Sequence, residues 1–191
     1  MKSGVIDERV FSFSVNLDSN VTRMTFGGYD LESYAEKGYP LQWFPIMENL
    51  RTWWTLPLDN CTFEKAWGEF PEKYFTVATK NTTTIIVDSG TSYVLMNKED
   101  RLLFLEILHR DRGIYCHNDF IPICYCHGNE IFPSFKFMIQ GQAVFLPNTS
   151  YVYRDEESNA CHLKLMVSGG DQWILGLNFF DNYYVIFDQE K

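Results

Sequence analysis

The chain lacks any run of lysine and arginine that could track a phosphate backbone, and its formal charge is −9. A nucleic-acid partner is therefore not expected. It has no window near the roughly 18 apolar residues that a membrane-spanning helix needs. Met1-Lys2-Ser3-Gly4 lacks the apolar stretch of a secretory leader. Entry into the secretory pathway would thus require a signal ahead of this text. Linkers, low-complexity tracts and internal repeats are missing too, so 191 residues read as one sizeable domain with its own core. The acid excess has a second consequence: a protein working at low pH gains from few basic groups, because protonating its carboxylates already drives the net charge positive.

Aromatic residues are plentiful, with 16 Phe, 11 Tyr and 5 Trp, which favours pleated, half-buried surfaces. Val10 to Asn16 alternates as a strand with one wet face should, Asp18-Ser19-Asn20 turns the chain, and Thr22 to Phe26 returns to Gly27-Gly28. Further strands are predicted at Trp53–Leu58, Tyr74–Ala78, Thr84–Val87, Phe135–Ile139, Ala143–Leu146, Tyr151–Tyr153, His162–Val167, Trp173–Leu175 and Tyr184–Phe187. One segment differs. Asn97 to Arg112 opens on a capping residue, carries Glu99 and Asp100 in its first turn and basic residues in its last, and stops at Gly113. Leu103, Ile107 and Leu108 form its apolar stripe, and a second short helical turn is predicted at Leu177–Asn182. The expected class is all-β with minor helix.

The chemistry concentrates in Thr84 to Met96 (TIIVDSGTSYVLM). An apolar β-branched run delivers Asp88 to a glycine-containing turn, and a second apolar run leaves. A carboxylate at the end of a buried strand is costly unless hydrogen-bonded or functional. Ser89 and Thr91 offer hydroxyl donors, and Gly90 permits close backbone approach. Read alone, the segment fits both an ordinary tight-turn aspartate and a catalytic one. Four Asn-x-Ser/Thr sequons, at Asn20, Asn60, Asn81 and Asn148, suggest a secreted glycoprotein.

The Asp88-Ser89-Gly90-Thr91 segment resembles the active-site motif of the pepsin-like aspartic proteases (family A1), and four further motifs follow the order of that family's C-terminal half. Met24-Thr25-Phe26-Gly27-Gly28-Tyr29-Asp30 is similar to its strand-turn. Pro133-Ser134-Phe135-Lys136-Phe137 follows Cys126 as the family's strand does, Trp173-Ile174-Leu175-Gly176 resembles the loop behind the catalytic aspartate, and Phe179-Phe180 to Tyr183-Tyr184-Val185-Ile186-Phe187-Asp188 resembles its ending. The similarity runs over residues 4–188. It implies one lobe of a bilobal acid-protease fold, built of packed antiparallel sheets, with residues 1–191 as the C-terminal lobe.

The resemblance also assigns roles. Asp88 becomes the catalytic residue of this lobe, Ser89 ties the two active-site loops across the lobe boundary, Thr91 binds the outer carboxylate oxygen, Gly90 presents its N–H, and Gly176 gives clearance beneath. Neither metal nor organic cofactor is implied. The implied partners are a peptide or protein substrate and an N-terminal lobe with the second aspartate, since a single Asp-[Ser/Thr]-Gly stands in this text. The expected activity is an endopeptidase of an acidic secretory, lysosomal or extracellular compartment, with this chain alone inactive. A last strand beyond Asp188 is also expected. Two other readings stand beside it: a peptide-binding pseudoprotease and a structural subunit that keeps the fold. A homodimeric site fits less well, because this is the long lobe pattern.

Cys116-His117 and Cys124-Tyr125-Cys126-His127 form a ligand-rich tract, but C-x7-C-x-C is not the spacing of usual structural zinc sites. In a secreted protein disulfides compete for these thiols. The resemblance implies Cys126–Cys161; Cys116–Cys124, closing a small loop, is the second pairing expected, and Cys61 is left over, either free and buried or bridged to another segment. The aromatic tract Tyr39–Trp54 reads as strand core with one wall of a cleft, and Phe63–Thr79 as a surface insertion.

Overall fold

The computed structural model describes residues 4–6, 8–16, 21–50, 52–63, 75–76, 83–126 and 132–190. The turn at 18–20, the sequons Asn20 and Asn81, and most of the 63–79 segment lie outside the described residues. Among those described, strands dominate and helices are few. The alternating strand β1 (Val10–Asn16) is flanked by its hairpin partner β2 (Val21–Phe26) and by the last strand, β16 (Val185–Asp188), both antiparallel. Its inward residues meet a ring cluster: Phe11 stacks on Phe187 at 4.7 Å and stands edge-on to Trp54 at 5.7 Å.

A second sheet orders β11 (Gln142–Leu146), β10 (Phe135–Ile139), β4 (Asn60–Phe63) and β5 (Phe75–Thr76). A third orders β12 (Val152–Asp155), β13 (Ala160–Leu163), β9 (Ile123–Tyr125) and β8 (Cys116–His117). Both are antiparallel. The fourth is not: β14 (Leu165–Val167), β7 (Val94–Met96), β15 (Trp173–Leu175), β6 (Thr84–Val87) and β3 (Thr55–Pro57) form a mixed sheet. In it β14/β7 and β15/β6 run parallel, whereas β15/β7 and β3/β6 run antiparallel. Strand alternation and turn residues carry no signal for pairing between strands far apart in sequence.

Helix α2 (Lys98–Arg112) follows β7. The Asn97 side chain accepts from the Glu99 N–H at 2.7 Å, and Gly113 closes the helix at φ 67°. Its buried face is Asp100, Arg101, Phe104, Leu105, Ile107 and Leu108, with Leu103 only at the margin. That corrects the predicted stripe, because two charged residues of the first turns point inward. Residues 39–47 form no strand, and Tyr39 and Trp53 are exposed. The remaining helices are single turns: α1 (Leu31–Tyr34), α3 (Asn148–Tyr151) and α4 (Leu177–Phe180).

Phe135 is the hub of the core. It has no solvent exposure and meets Phe104 at 4.9 Å, Tyr151 at 5.1 Å and Trp173 at 5.7 Å, which joins helix α2, α3 and the mixed sheet. Phe135→Ala should cost about 3–5 kcal/mol through the cavity it leaves, read as a lower urea midpoint with unchanged slope.

At the β12–β13 turn, Asp155 accepts from the Ser158 hydroxyl at 2.5 Å and the Glu157 N–H at 3.0 Å. The Ser158 bond, then the backbone bond, hold its carboxyl below the ordinary 3.8. A depressed folded pKa means that the turn's contribution is full above the ordinary value and fades as pH falls through the folded one. The stability difference between the native chain and Asp155→Asn should therefore stay constant near neutrality and shrink only at pH below 3.8.

Candidate active site

Strand β6 carries the buried pair Ile85 and Ile86 between β15 and β3, with Trp173↔Ile85, Ile174↔Ile86 and Leu175↔Val87 in parallel register. At its end the Asp88 N–H donates to Leu175 O at 3.0 Å. The chain then crosses over the C-terminal end of β15 through residues 88–93 and returns as β7 along the other side of that strand. Bonds from beneath hold the crossing: Leu177 N–H to Thr91 O at 2.7 Å, and Asn178 N–H to Ser92 O at 3.3 Å.

Gly176 lies where the crossing meets β15. Its φ of −90° is open to any residue, so conformation is not the constraint. Space is: a Cβ there would stand 2.3 Å from Tyr93 O and 2.4 Å from Thr91 O. Both are backbone atoms of the loop itself.

Above this support the Asp88 carboxylate is half-buried and held at both oxygens. Gly90 N–H donates to Oδ1 at 2.9 Å, and the Thr91 hydroxyl donates to Oδ2 at 2.6 Å. A Cβ on Gly90 would sit 3.1 Å from Oδ1, so glycine lets the N–H come this close. Ser89 is half-buried beside it, and Gly90 and Ser92 face solvent. The structure therefore brings Asp88, Ser89, Gly90, Thr91 and Gly176 into one unit. A carboxylate fixed in this way can accept a proton from a bound water. It cannot at the same time donate one, so general acid–base chemistry at this loop needs a second acid.

Two supporting contacts escaped the sequence reading. Asp100 is fully buried and accepts from Trp173 Nε1 at 2.7 Å, which pins α2 to the strand under the loop. An acid in a first helical turn already suits the helix dipole, so nothing in the sequence marked it as buried. Asn97, the cap of α2, also donates to Asp171 at 3.2 Å.

The cysteines form two disulfides, Cys116–Cys124 and Cys126–Cys161. The sulfurs of the ligand-rich tract are thereby bonded to one another or to Cys161, and His127 lies outside the described residues. Cys61 is free and buried. Burial, and secondarily the nearby Asp100 charge, push its thiol well above the usual range. Asn60 is exposed on the opposite face of β4 from Cys61. Asn148 is half-buried, its amide donating to Phe132 O at 2.8 Å.

Gly176→Ala should cost about 3 kcal/mol or more, since overpacking against backbone cannot relax by a rotamer change. The check is thermal unfolding followed by tryptophan fluorescence, with the native melt as reference.

Comparison with known proteins agrees with this geometry. The family model described as eukaryotic aspartyl protease matches residues 1–191. Pepsin A of Gallus gallus is 30% identical over 197 residues, covering 99% of this chain and 47% of the relative. Pepsin A of Sus scrofa is 28% identical, covering 97% and 45%, and the pregnancy-associated glycoprotein of Equus caballus is 24% identical, covering 98% and 45%. The chain thus spans about half the length of the curated relatives it matches. With a mostly β fold and an Asp-Ser-Gly-Thr loop braced over a glycine, the chain belongs to the eukaryotic aspartyl protease family.

Proposed function

We propose that this chain is the C-terminal lobe of an aspartic endopeptidase and supplies one of its two catalytic carboxylates, Asp88. The observation that carries the reading is the clamped carboxylate, with Gly90 N–H on one oxygen and the Thr91 hydroxyl on the other. That clamp fixes the orientation of a group that has to exchange protons with a water and a scissile carbonyl.

The chemistry follows from two carboxylates sharing one proton, because neighbouring like charges resist double ionisation. The ionised member takes a proton from water as that water attacks the peptide carbonyl. The protonated member donates to the carbonyl oxygen, and the protons belong to the pair rather than to either residue. The dyad must hold one proton, so activity belongs to acidic pH. Substrate would lie extended across the face of the loop, paired partly through its backbone.

The second aspartate belongs in this reading to an N-terminal lobe, on the same chain or a cleaved one. Ser89, half-buried at the loop and with no hydrogen-bond partner among the described residues, is free to bond across that boundary. The outer strand β2 supports a missing neighbour as well: it presents Val21, Met24 and Phe26 to solvent at the sheet edge, a surface that proteins normally cover. The two disulfides fit an oxidising route, secretory or extracellular, with an acidic compartment as the working site.

Asp88→Asn in the full-length protein should lower kcat for acid peptide hydrolysis by at least about 10³-fold. The far-UV circular dichroism and melting temperature should stay near native. Undiminished activity in a folded variant would overturn the assignment.

A further inference from the structure

Four half-cystines lie on one face of the third sheet. Cys116 is directly opposite Cys124, Cys124 is directly opposite Cys161, and Cys161 is directly opposite Arg154. Residues opposite one another across neighbouring strands point to the same side, and so do residues two apart on one strand, which adds Cys126. Side chains so placed have Cβ atoms about 4.5–5.5 Å apart. Cys124 therefore has two sulfurs within reach: its present partner Cys116 on one flank and Cys161 on the other.

Burial and charge give this row a direction. Cys124 and Cys161 have no solvent exposure, Cys126 has very little, and Cys116 is half-exposed. An external thiol thus meets Cys116 first. At the far end, the Arg154 guanidinium stands 3.4 Å from the sulfurs of both Cys126 and Cys161, and over the Phe132 ring at 5.8 Å. A guanidinium at that distance favours a thiolate over a thiol, and a stabilised thiolate is the better leaving group in exchange.

We propose that these four cysteines form a thiol-triggered relay in which the two disulfides collapse into one new bond, Cys124–Cys161. A small-molecule thiol attacks Cys116 Sγ as its thiolate, and the Cys116–Cys124 bond breaks to release Cys124 as thiolate. Cys124 attacks Cys161 Sγ, forming Cys124–Cys161 and expelling Cys126 as a thiolate beside Arg154. A second thiol resolves the mixed disulfide on Cys116. In total, two thiols become one external disulfide, and Cys116 and Cys126 end reduced. The hairpin β8–β9 loses its own cross-link, and β9 becomes tied to β13 instead. β13 leads through Lys164 into β14, the neighbour of the strand that leaves the Asp88 loop.

The test is graded reduction of the native, folded protein with glutathione, followed by alkylation of the freed thiols with excess N-ethylmaleimide in denaturant at mildly acidic pH, where exchange is slow. Peptide mapping without further reduction then identifies the remaining link. In the species with two alkylated cysteines from this row, the relay places the label on Cys116 and Cys126 and leaves a Cys124–Cys161 peptide pair. Label on Cys116 and Cys124 with Cys126–Cys161 intact overturns it, as does label on Cys126 and Cys161. The Cys116→Ser variant should show the Cys124–Cys161 pair with no reductant added. Arg154→Gln should lose most of the rearranged product while Arg154→Lys keeps it. An equal yield in both would remove the guanidinium's part in the relay.

Discussion

Everything around Asp88 depends on one close approach, the passage of residues 88–93 over the end of β15 with no atom to spare at Gly176. The two parallel partners β6 and β15 bring the aspartate and the glycine to the same end of the sheet. The return of the chain as β7 on the other flank of β15 then forces the crossing. Because the gap is filled by loop backbone, Leu177 and Asn178 can hold Thr91 and Ser92 by direct hydrogen bonds, and the carboxylate inherits that rigidity. The strand below is fixed in turn by the buried Trp173–Asp100 bond. The orientation of the Asp88 carboxylate, the buried face of helix α2 and the aromatic hub at Phe135 are thus successive layers of one support.

Two surface turns carry carboxylates that stay ionised further into acid than usual. Hydrogen bonds from Ser33 hold Asp30, the cap of α1, below its ordinary value, as those from Ser158 do for Asp155. Such groups keep their charge, and the turns they brace, further into acid than a free carboxylate would. Two disulfides constrain the unfolded chain regardless of pH. Hydrogen-bond donors carry most of each shift, and the charge of His162 adds a smaller pull on Asp155.

Local chemistry was legible and long-range pairing was not. The caps Asn97 and Gly113 bound helix α2 because capping is decided within a few residues. The strands Val10–Asn16, Thr84–Val87, Phe135–Ile139 and Trp173–Leu175 stand where their β-branched and aromatic runs put them. The predicted run His162–Val167 is instead divided at Lys164 into β13 and β14, which belong to different sheets. That division answers to tertiary pairing, which alternation does not encode. The parallel β6/β15 pair, the inward turn of Asp100 and Arg101, and the row of half-cystines beside Arg154 have the same origin. Each is created by the register of distant strands. At the site, the resemblance pointed to Asp88, Ser89, Gly90, Thr91 and Gly176, and the clearance expected at Gly176 takes the form of two carbonyl oxygens in the space of a Cβ.

The central claim is that Asp88 works as half of a pair. Peptide sequencing of the native protein, with intact mass measured reduced and unreduced, tests it most directly. The account predicts a second segment with its own Asp-[Ser/Thr]-Gly, on the same polypeptide or held beside this one. A native, peptide-cleaving protein whose only such motif is Asp88-Ser89-Gly90 would contradict it.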